Sequence, residues 1–224
     1  MPNVGFRVLP SPPRPDAALV AAFKSIPTTL ISDNTNRVHS VGGGIRPYHQ
    51  PAALAGVALT VKVPPGQNLM VQKAVDMAVP GDVIVIDAAG DVTHAMIGEI
   101  VVAHARSRGV VGFVIDGAVR DVAAIRASTF PIYAAGVTHR GPYRDGPGEV
   151  NVPVAIGGLV IRPGDIIVGD EDGVVTVPPE AAEHILELTR AHAAREVVLL
   201  KAAREGTLDR RWVDERLREQ GCDF

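Results

Sequence analysis

Apolar positions along the chain group into runs that differ in period. Val83–Ile86 and Val110–Ile115 are unbroken and rich in β-branched residues; Pro80-Gly81-Asp82 precedes the first and Asp116-Gly117 follows the second. Runs of this length without polar alternation suit strands buried on both faces. Between them, the stretch opened by Gly98-Glu99 has helical spacing, so the order reads strand, helix, strand. A helical crossover of this length most simply joins parallel strands, which puts the loops after Ile86 and Ile115 on one edge of the sheet. Ligands of open α/β sheets bind at that edge. Glu99 and the Arg120-Asp121 pair, 21 and 22 positions further on, are therefore expected to meet there.

The remaining pattern extends an α/β reading to the whole chain. Asp16 caps a short helix reaching Ser25, and a second helix is expected to start near Ser32 or Asp33. Leu54–Val63 alternates as a strand that Pro64-Pro65-Gly66 ends, and Leu69, Val71, Ala74, Val75 and Ala78 predict a helix from Asn68. Val122–Ala127 reads as helix, Ile132–Ala134 as strand, and Thr138–Gly148 as a loop. Val152–Ile156, Leu159–Ile161, Ile166–Val168 and Val174–Val177 read as four short strands. From Pro179 to about Gly206 a helical stripe runs through Ala182, Ile185, Leu186, Thr189, Ala193, Val197 and Leu200. Trp212 and Leu217 follow in a charged tail suited to docking on a partner subunit.

One nine-residue pattern occurs twice. Val79-Pro80-Gly81-Asp82-Val83-Ile84-Val85-Ile86-Asp87 is echoed by Arg162-Pro163-Gly164-Asp165-Ile166-Ile167-Val168-Gly169-Asp170, each a Pro-Gly type II turn before a strand. Five prolines between Met1 and Pro15 favour an extended arm able to lie on a neighbouring subunit. With no linker visible, the expectation is a single domain: an arm over 1–15, an α/β core over 16–178 and C-terminal helices over 179–224.

Composition narrows the function. With 46% hydrophobic residues in 224 the chain can fill a substantial core. Its formal charge of -3 arises from 22 basic and 25 acidic residues without a basic tract, so nucleic acid is not expected as a partner. Cys222 is the only cysteine, which excludes an internal disulfide and a thiolate zinc site and fits a reducing compartment. No apolar run nears a membrane span of roughly 20 residues, and the N-terminus lacks signal-peptide order. A cytoplasmic protein that does not enter the membrane is expected.

Among residues able to do chemistry, the run Asp116-Gly117-Ala118-Val119-Arg120-Asp121 is the sharpest signal. Arg120 offers a fork for a carboxylate, and Asp121 offers a hard oxygen for a cation; the plainer reading is a surface turn with Asp121 as helix N-cap. At the other helix start, after Gly98-Glu99, the amides of Ile100 and Val101 are free to meet an anion. Gly42-Gly43-Gly44 lacks the Lys-Ser or Lys-Thr of a phosphate loop and reads as a turn. Asp170-Glu171-Asp172-Gly173 lacks EF-hand spacing and reads as an acidic hairpin turn. The seven histidines form no zinc-hydrolase pairing, and His94 and His104, flanking the central helix, read first as structural. Lys62 and Lys73 have nothing nearby to mark either as a Schiff-base lysine.

From Pro27 to Pro178, through IPTTLISD, PGDVIVID, the Gly98-Glu99 helix start, VIDGAVRD, FPIYAAG, GPGEVNVPV and VGDEDGVVTVP, the chain resembles the class II pyruvate aldolases. These are typified by 4-hydroxy-4-methyl-2-oxoglutarate aldolase and include relatives of the regulator of ribonuclease activity A. Their pattern, an acidic residue followed after twenty positions by Arg-Asp, is matched by Glu99, Arg120 and Asp121. The resemblance implies that Asp121 binds a divalent metal, Mg2+ or Mn2+, and that Glu99 holds its water. It also implies that Arg120 and the main chain from Gly98 through Glu99 and Ile100 to Val101 grip a pyruvoyl group. An α/β/α-type sandwich about a central mixed sheet, assembled as a homotrimer or hexamer, is implied too, as is a further acid from a neighbouring subunit, for which Glu196 and Glu205 are candidates. The activity implied is a metal-dependent carbon–carbon lyase acting on small 2-oxo acids, as aldolase, oxaloacetate decarboxylase or both. The alternative is a non-catalytic regulator that binds a ribonuclease through its oligomer surface.

Overall fold

In the computed structural model, which describes residues 3–223, the core is a mixed sheet of nine strands. In chain order the elements are β1 (Phe6–Val8), α1 (Ala17–Ala22), α2 (Thr28–Asn34), β2 (Arg46–Pro47), β3 (Leu54–Lys62), α3 (Leu69–Met77), β4 (Asp82–Ile97), α4 (Glu99–Ser107) and β5 (Gly112–Val119). Next come α5 (Val122–Arg126), β6 (Ile132–Val137), β7 (Gly148–Val150), β8 (Val154–Ile156), β9 (Leu159–Ile161), β10 (Ile166–Asp170), β11 (Gly173–Val177), α6 (Ala182–Arg204) and α7 (Arg211–Glu219). Strands run in the order β1-β7-β3-β4-β5-β6-β2, and the antiparallel pair β10-β11 joins through β10 to β3. The centre, β3-β4-β5-β6, is parallel.

The unbroken apolar runs have the two-sided burial their pattern predicts. Ile84 and Ile86 face a core shared with α3 and α4 through Val71, Val75 and Ala105, while Val83 and Val85 face Val154, Ile156 and Ile161 of the β8–β9 hairpin. A third cluster joins Val57, Ile166 and Val168 to Phe23, Ile31 and Ile185, so α1, α2 and α6 cover the sheet on the β10 side. The large mixed sheet flanked by helices is thus as expected, with a hairpin covering part of one face.

Several elements differ from their sequence reading. Helix α2 starts at Thr28, before Ser32 and Asp33, because its cap comes from elsewhere: Asp170 accepts from Thr28 N at 2.8 Å and from Thr28 Oγ1 at 2.7 Å. Over 6–8 the arm is not free but pairs in parallel with β7 of the same chain, and Met1 and Pro2 lie outside the described residues. Strand β4 runs eleven residues past Ile86, and β7 forms inside what reads as loop and its exit. On α6 the stripe is buried only as far as Thr189; Val197 and Leu200 are 68% and 52% exposed. Both Pro-Gly turns form as predicted, with Gly81 at φ +89° and Gly164 at φ +90°.

Candidate active site

The extension of β4 brings the two halves of the site together. After Asp87 the strand leaves regular pairing, with Ala89 at φ 55° and Gly90 at φ 71°, and register shifts against β5 occur between Asp87 and Ile97. Bulges of this kind bend a strand at the rim of a sheet and re-aim it. The result places Ile97 beside the exit of β5, where Arg120 N donates to Ile97 O at 3.1 Å. Gly98, the N-cap of α4, thereby lies against Arg120 and Asp121. A Cβ on Gly98 would fall 2.4 Å from Asp121 Oδ2 and 2.9 Å from Arg120 Cγ, so any side chain here would displace the Asp121 carboxylate and the Arg120 stem.

Asp121 is at the N-cap position of α5, as one reading of the sequence holds, but its side chain makes no cap bond. Its Oδ2 instead accepts from Glu99 N at 2.9 Å and stands 3.8 Å from Arg120 Nε. The backbone that allows this is left-handed, at φ 57° and ψ 39°, a conformation non-glycine residues hold only where the surroundings impose it. The carboxylate is 42% exposed and the Arg120 side chain 37%. Helix α4's own ladder begins with Val102 N donating to Gly98 O, leaving the Ile100 and Val101 amides outside it, as the sequence predicts. Glu99 is exposed beside them.

The loop 138–147 forms the facing wall. Ala95 N donates to Arg140 O at 2.9 Å, a Cβ on Gly141 would lie 2.9 Å from Arg120 Nη1, and Tyr143 N donates to Gly66 O at 2.7 Å. Tyr143 O in turn accepts from Asn68 N at 3.0 Å. Asn68 is a residue that the sequence reading passes over as a helix start. It is 2% exposed, its Nδ2 donates to Met96 O at 3.0 Å, and its Oδ1 has no partner among the described residues. A buried amide oxygen without a donor is unfavourable by about 1–3 kcal/mol and marks a place where a ligand or water completes the bonding. Only its position after Pro64-Pro65-Gly66, in a turn that needs no asparagine, hints at this in sequence.

Charge behind the site is unevenly shared. Asp87 and Asp116 are direct partners across β4 and β5. Burial pushes the Asp116 carboxyl above the usual range; an amide bond from Gly157 opposes this, and the Asp87 charge adds to it. Asp91, although burial acts against it, is held below the usual range by hydrogen bonds from the Thr93 hydroxyl and amide, with His94 adding to the effect.

A single carboxylate with a fixed oxygen, open to solvent and beside an Arg, suits an ion such as Mg2+ that keeps most of its water and shares substrate oxygens. No group of three or more His, Cys, Asp or Glu able to cage a metal occurs among the described residues. Other candidates lie elsewhere. His104 Nε2 lies 3.3 Å from Asp76 Oδ1 in an exposed hydrogen bond, and Lys62 and Lys73 are exposed. Glu196 lies 3.8 Å from the His192 ring on α6, Glu205 comes just after the end of that helix, and α6 packs against α1 and α2. Within one chain neither acid is brought to Asp121. No helix among the described residues is long and apolar enough to cross a membrane.

Comparison with known proteins places the chain among relatives of the same fold. The family model described as RraA-like, Aldolase/RraA, matches residues 28–176. A protein of Halalkalibacterium halodurans named "Putative 4-hydroxy-4-methyl-2-oxoglutarate aldolase" is 44% identical over 175 residues, 78% of this chain and 83% of the relative. Among solved structures, an uncharacterized protein from Pseudomonas syringae pv. tomato superposes with a TM-score of 0.77 at 25% identity, covering 87% of this chain and 96% of that one. Streptomyces coelicolor RraAS2, described as an unusual member of the RNase ES inhibitor RraA protein family, gives a TM-score of 0.76 at 28% identity over 83% and 97%.

Proposed function

Since the chain belongs to the Aldolase/RraA family, we propose that it is a divalent-metal-dependent carbon–carbon lyase that acts on small 2-oxo acids containing a pyruvoyl group. One observation carries the reading: Asp121 is held in a strained left-handed backbone with its carboxylate over the start of α4 and beside Arg120. A cap alone needs no such strain, since an aspartate caps a helix from ordinary extended backbone, as Asp16 does at φ -57° and ψ 134°.

The roles derive from the chemistry of each group. Arg120 and the free amides of Ile100 and Val101 suit the carboxylate and keto oxygen of a pyruvoyl unit, and Gly98 allows close approach of the main chain. Asp121 would hold Mg2+ or Mn2+, with Glu99 steadying its water; that ion supplies a Lewis acid against which enolate charge is stabilised. Retro-aldol cleavage of a 4-hydroxy-4-methyl-2-oxoglutarate type of substrate and decarboxylation of oxaloacetate both deliver the pyruvate enolate. Arg120 lowers the energy of that developing charge in either case. The exposed run Val197–Leu200, at 52–68% accessibility, supports assembly into a homotrimer or hexamer, in which Glu196 or Glu205 would serve a neighbour's site. The low cysteine content supports a cytoplasmic location.

The test is pyruvate release from both substrates with magnesium, with manganese and with chelator. Asp121→Ala is expected to abolish metal-dependent release, a loss of about a thousandfold or more, while circular dichroism stays unchanged. Unaltered turnover in that variant would sink the assignment. The likeness to RraAS2 favours a second reading, a non-catalytic regulator bound to a ribonuclease. That reading requires a sub-micromolar complex by calorimetry and no pyruvate release.

A further inference from the structure

Two residues at helix starts direct their side chains away from their own helices and onto one short segment. Asn68 is the N-cap of α3 and Asp121 the N-cap of α5, and neither makes a side-chain cap bond. Both are residue types whose side-chain oxygen ordinarily caps a helix. Instead, Asn68 Nδ2 donates to Met96 O at 3.0 Å and Asp121 Oδ2 accepts from Glu99 N at 2.9 Å, so the segment Met96–Glu99 is gripped at both ends. Between these grips, Ile97 O accepts from Arg120 N at 3.1 Å, and Gly98 lies against Arg120 and Asp121. The amides of Ile100 and Val101 follow directly.

Met96 depends on a side chain for this bond because β3 stops short. Strand β3 pairs with β4 only as far as Lys62 and Asp87, so the extension to Ile97 has a strand neighbour on the β5 side alone. Met96 is fully buried, and its carbonyl needs a donor from outside the sheet. Asn68 supplies it from a fixed position: it is 2% exposed, its N donates to Tyr143 O at 3.0 Å, and its O accepts from Gln72 N at 3.1 Å. Stability does not account for an asparagine here. Oδ1, the atom that would cap α3, is buried without a partner among the described residues, which is unfavourable. What the amide contributes is the donor to Met96.

We propose that Asn68 is a positioning residue: through Met96 O it sets the placement of Ile97–Glu99, and with it the Arg120 backbone and the Asp121 carboxylate. It acts through the main chain and not by contact with substrate. Planar peptides leave only the two backbone torsions of each residue to absorb a shift, so a displacement at Met96 reaches Ile97 O and Glu99 N within three residues. The consequence for turnover rests on the lyase reading above. Because the segment serves the pyruvoyl end common to both substrates, aldol cleavage and oxaloacetate decarboxylation depend on it alike.

The test is Asn68→Leu, which nearly keeps the shape and removes both the donor and the unpaired oxygen. Pyruvate release from either substrate should fall by about tenfold or more, the effect of a small misplacement at a reacting centre. Mn2+ alone, followed by electron paramagnetic resonance, should bind about tenfold more weakly, as when an outer support of a metal ligand is lost. The melting temperature should stay within about 2 °C of the parent. A merely structural role predicts the reverse, a lower melting temperature with Mn2+ affinity intact. Gly98→Ala disturbs the same segment, so the double variant should lose less turnover than the product of the two single losses, whereas independent residues give the product. Unchanged Mn2+ affinity overturns the proposal, and so do unchanged turnover or losses that multiply with those of Gly98→Ala. A parent protein that binds Mn2+ but releases no pyruvate removes the lyase reading alone, and the Mn2+ affinity of Asn68→Leu then decides. A parent protein that does neither removes both. Should Asn68→Leu not fold, Asn68→Asp, which keeps the shape and lacks the donor when ionised, takes its place in each measurement.

Discussion

Strands β4 and β10 begin alike and continue differently. Each comes after a Pro-Gly turn closed by its aspartate: Asp82 Oδ2 accepts from Val79 N at 2.9 Å, and Asp165 Oδ2 accepts from Arg162 N at 2.8 Å. Each strand then flanks β3, with Asp82 and Ile166 meeting Val57 from opposite sides, one parallel and one antiparallel. The likeness extends to the far end. Asp87 Oδ1 accepts from Ala89 N and Asp170 Oδ1 from Asp172 N, both at 3.0 Å, while the second oxygen of each pins a distant amide, Ala155 N for Asp87 and Thr28 N for Asp170. Beyond that point they part. After Asp170 the chain folds straight back into β11, whereas after Asp87 two left-handed residues carry β4 onward as far as Ile97, next to Gly98. The same turn and the same terminal aspartate therefore build either a structural hairpin or the approach to a site. Ala89 and Gly90 make the difference, because their left-handed backbone turns the chain onward where Glu171 and Asp172 turn it back.

Four substitutions would break or sharpen that contrast. The largest effect is expected at the end of the β4 extension. Gly98→Ala should cut pyruvate release at least about tenfold with little change in melting temperature, because a displacement of the order of an ångström at a reacting centre has effects of that size or larger. Wild-type turnover in this variant would mean that the Gly98–Asp121 contact, 2.4 Å for an added Cβ, is not part of the working site. Next come the paired aspartates. Asp170→Ala loses its bonds to Thr28 N, Thr28 Oγ1 and Asp172 N, and urea unfolding should show about 2 kcal/mol of destabilisation. Asp87→Ala loses two amide bonds but also relieves Asp116 of a neighbouring charge, so about 1 kcal/mol is expected. Equal losses would argue against the carboxylate repulsion.

The smallest effect concerns Asp116 itself. Its folded pKa is raised, so ionising it is harder in the folded chain than in the unfolded one. Stability is lost as pH rises from the ordinary carboxylate value of 3.8 through the raised folded value. Asp116→Asn should therefore melt about 2 °C higher than the parent at pH 7, and this advantage should vanish as pH falls below 3.8, as calorimetry would record. A destabilised variant at pH 7 would show that the bond from Gly157 outweighs burial.

The strand-helix-strand core was readable because buried parallel strands leave an unbroken apolar signature, and because Gly98-Glu99 marks a helix start locally. For the same reason Glu99, Arg120 and Asp121 could be grouped from the sequence alone. Features built from distant partners could not be read this way. The start of α2 depends on Asp170, 142 positions away, and nothing between Pro27 and Asn34 announces it. The continuation of β4 passes through Ala89 and Gly90, which look like a loop and pair with nothing on β5, before Asp91 resumes pairing with Gly117. Asn68 stands out only once its amide oxygen is seen buried and without a donor, a property of the folded surroundings. The α6 stripe is regular to Leu200, but helical periodicity cannot tell which part of a stripe its own chain covers.

The left-handed backbone at Asp121 has a consequence for how this protein can change. At φ 57° and ψ 39° glycine is the residue without steric penalty, and aspartate is retained there at a conformational disadvantage of about 1–3 kcal/mol. Selection for heat resistance alone would favour Gly at 121, and selection for turnover would resist it. On the proposed lyase reading, position 121 is where durability and activity pull against each other, and a thermostabilised variant of this chain should be checked there first.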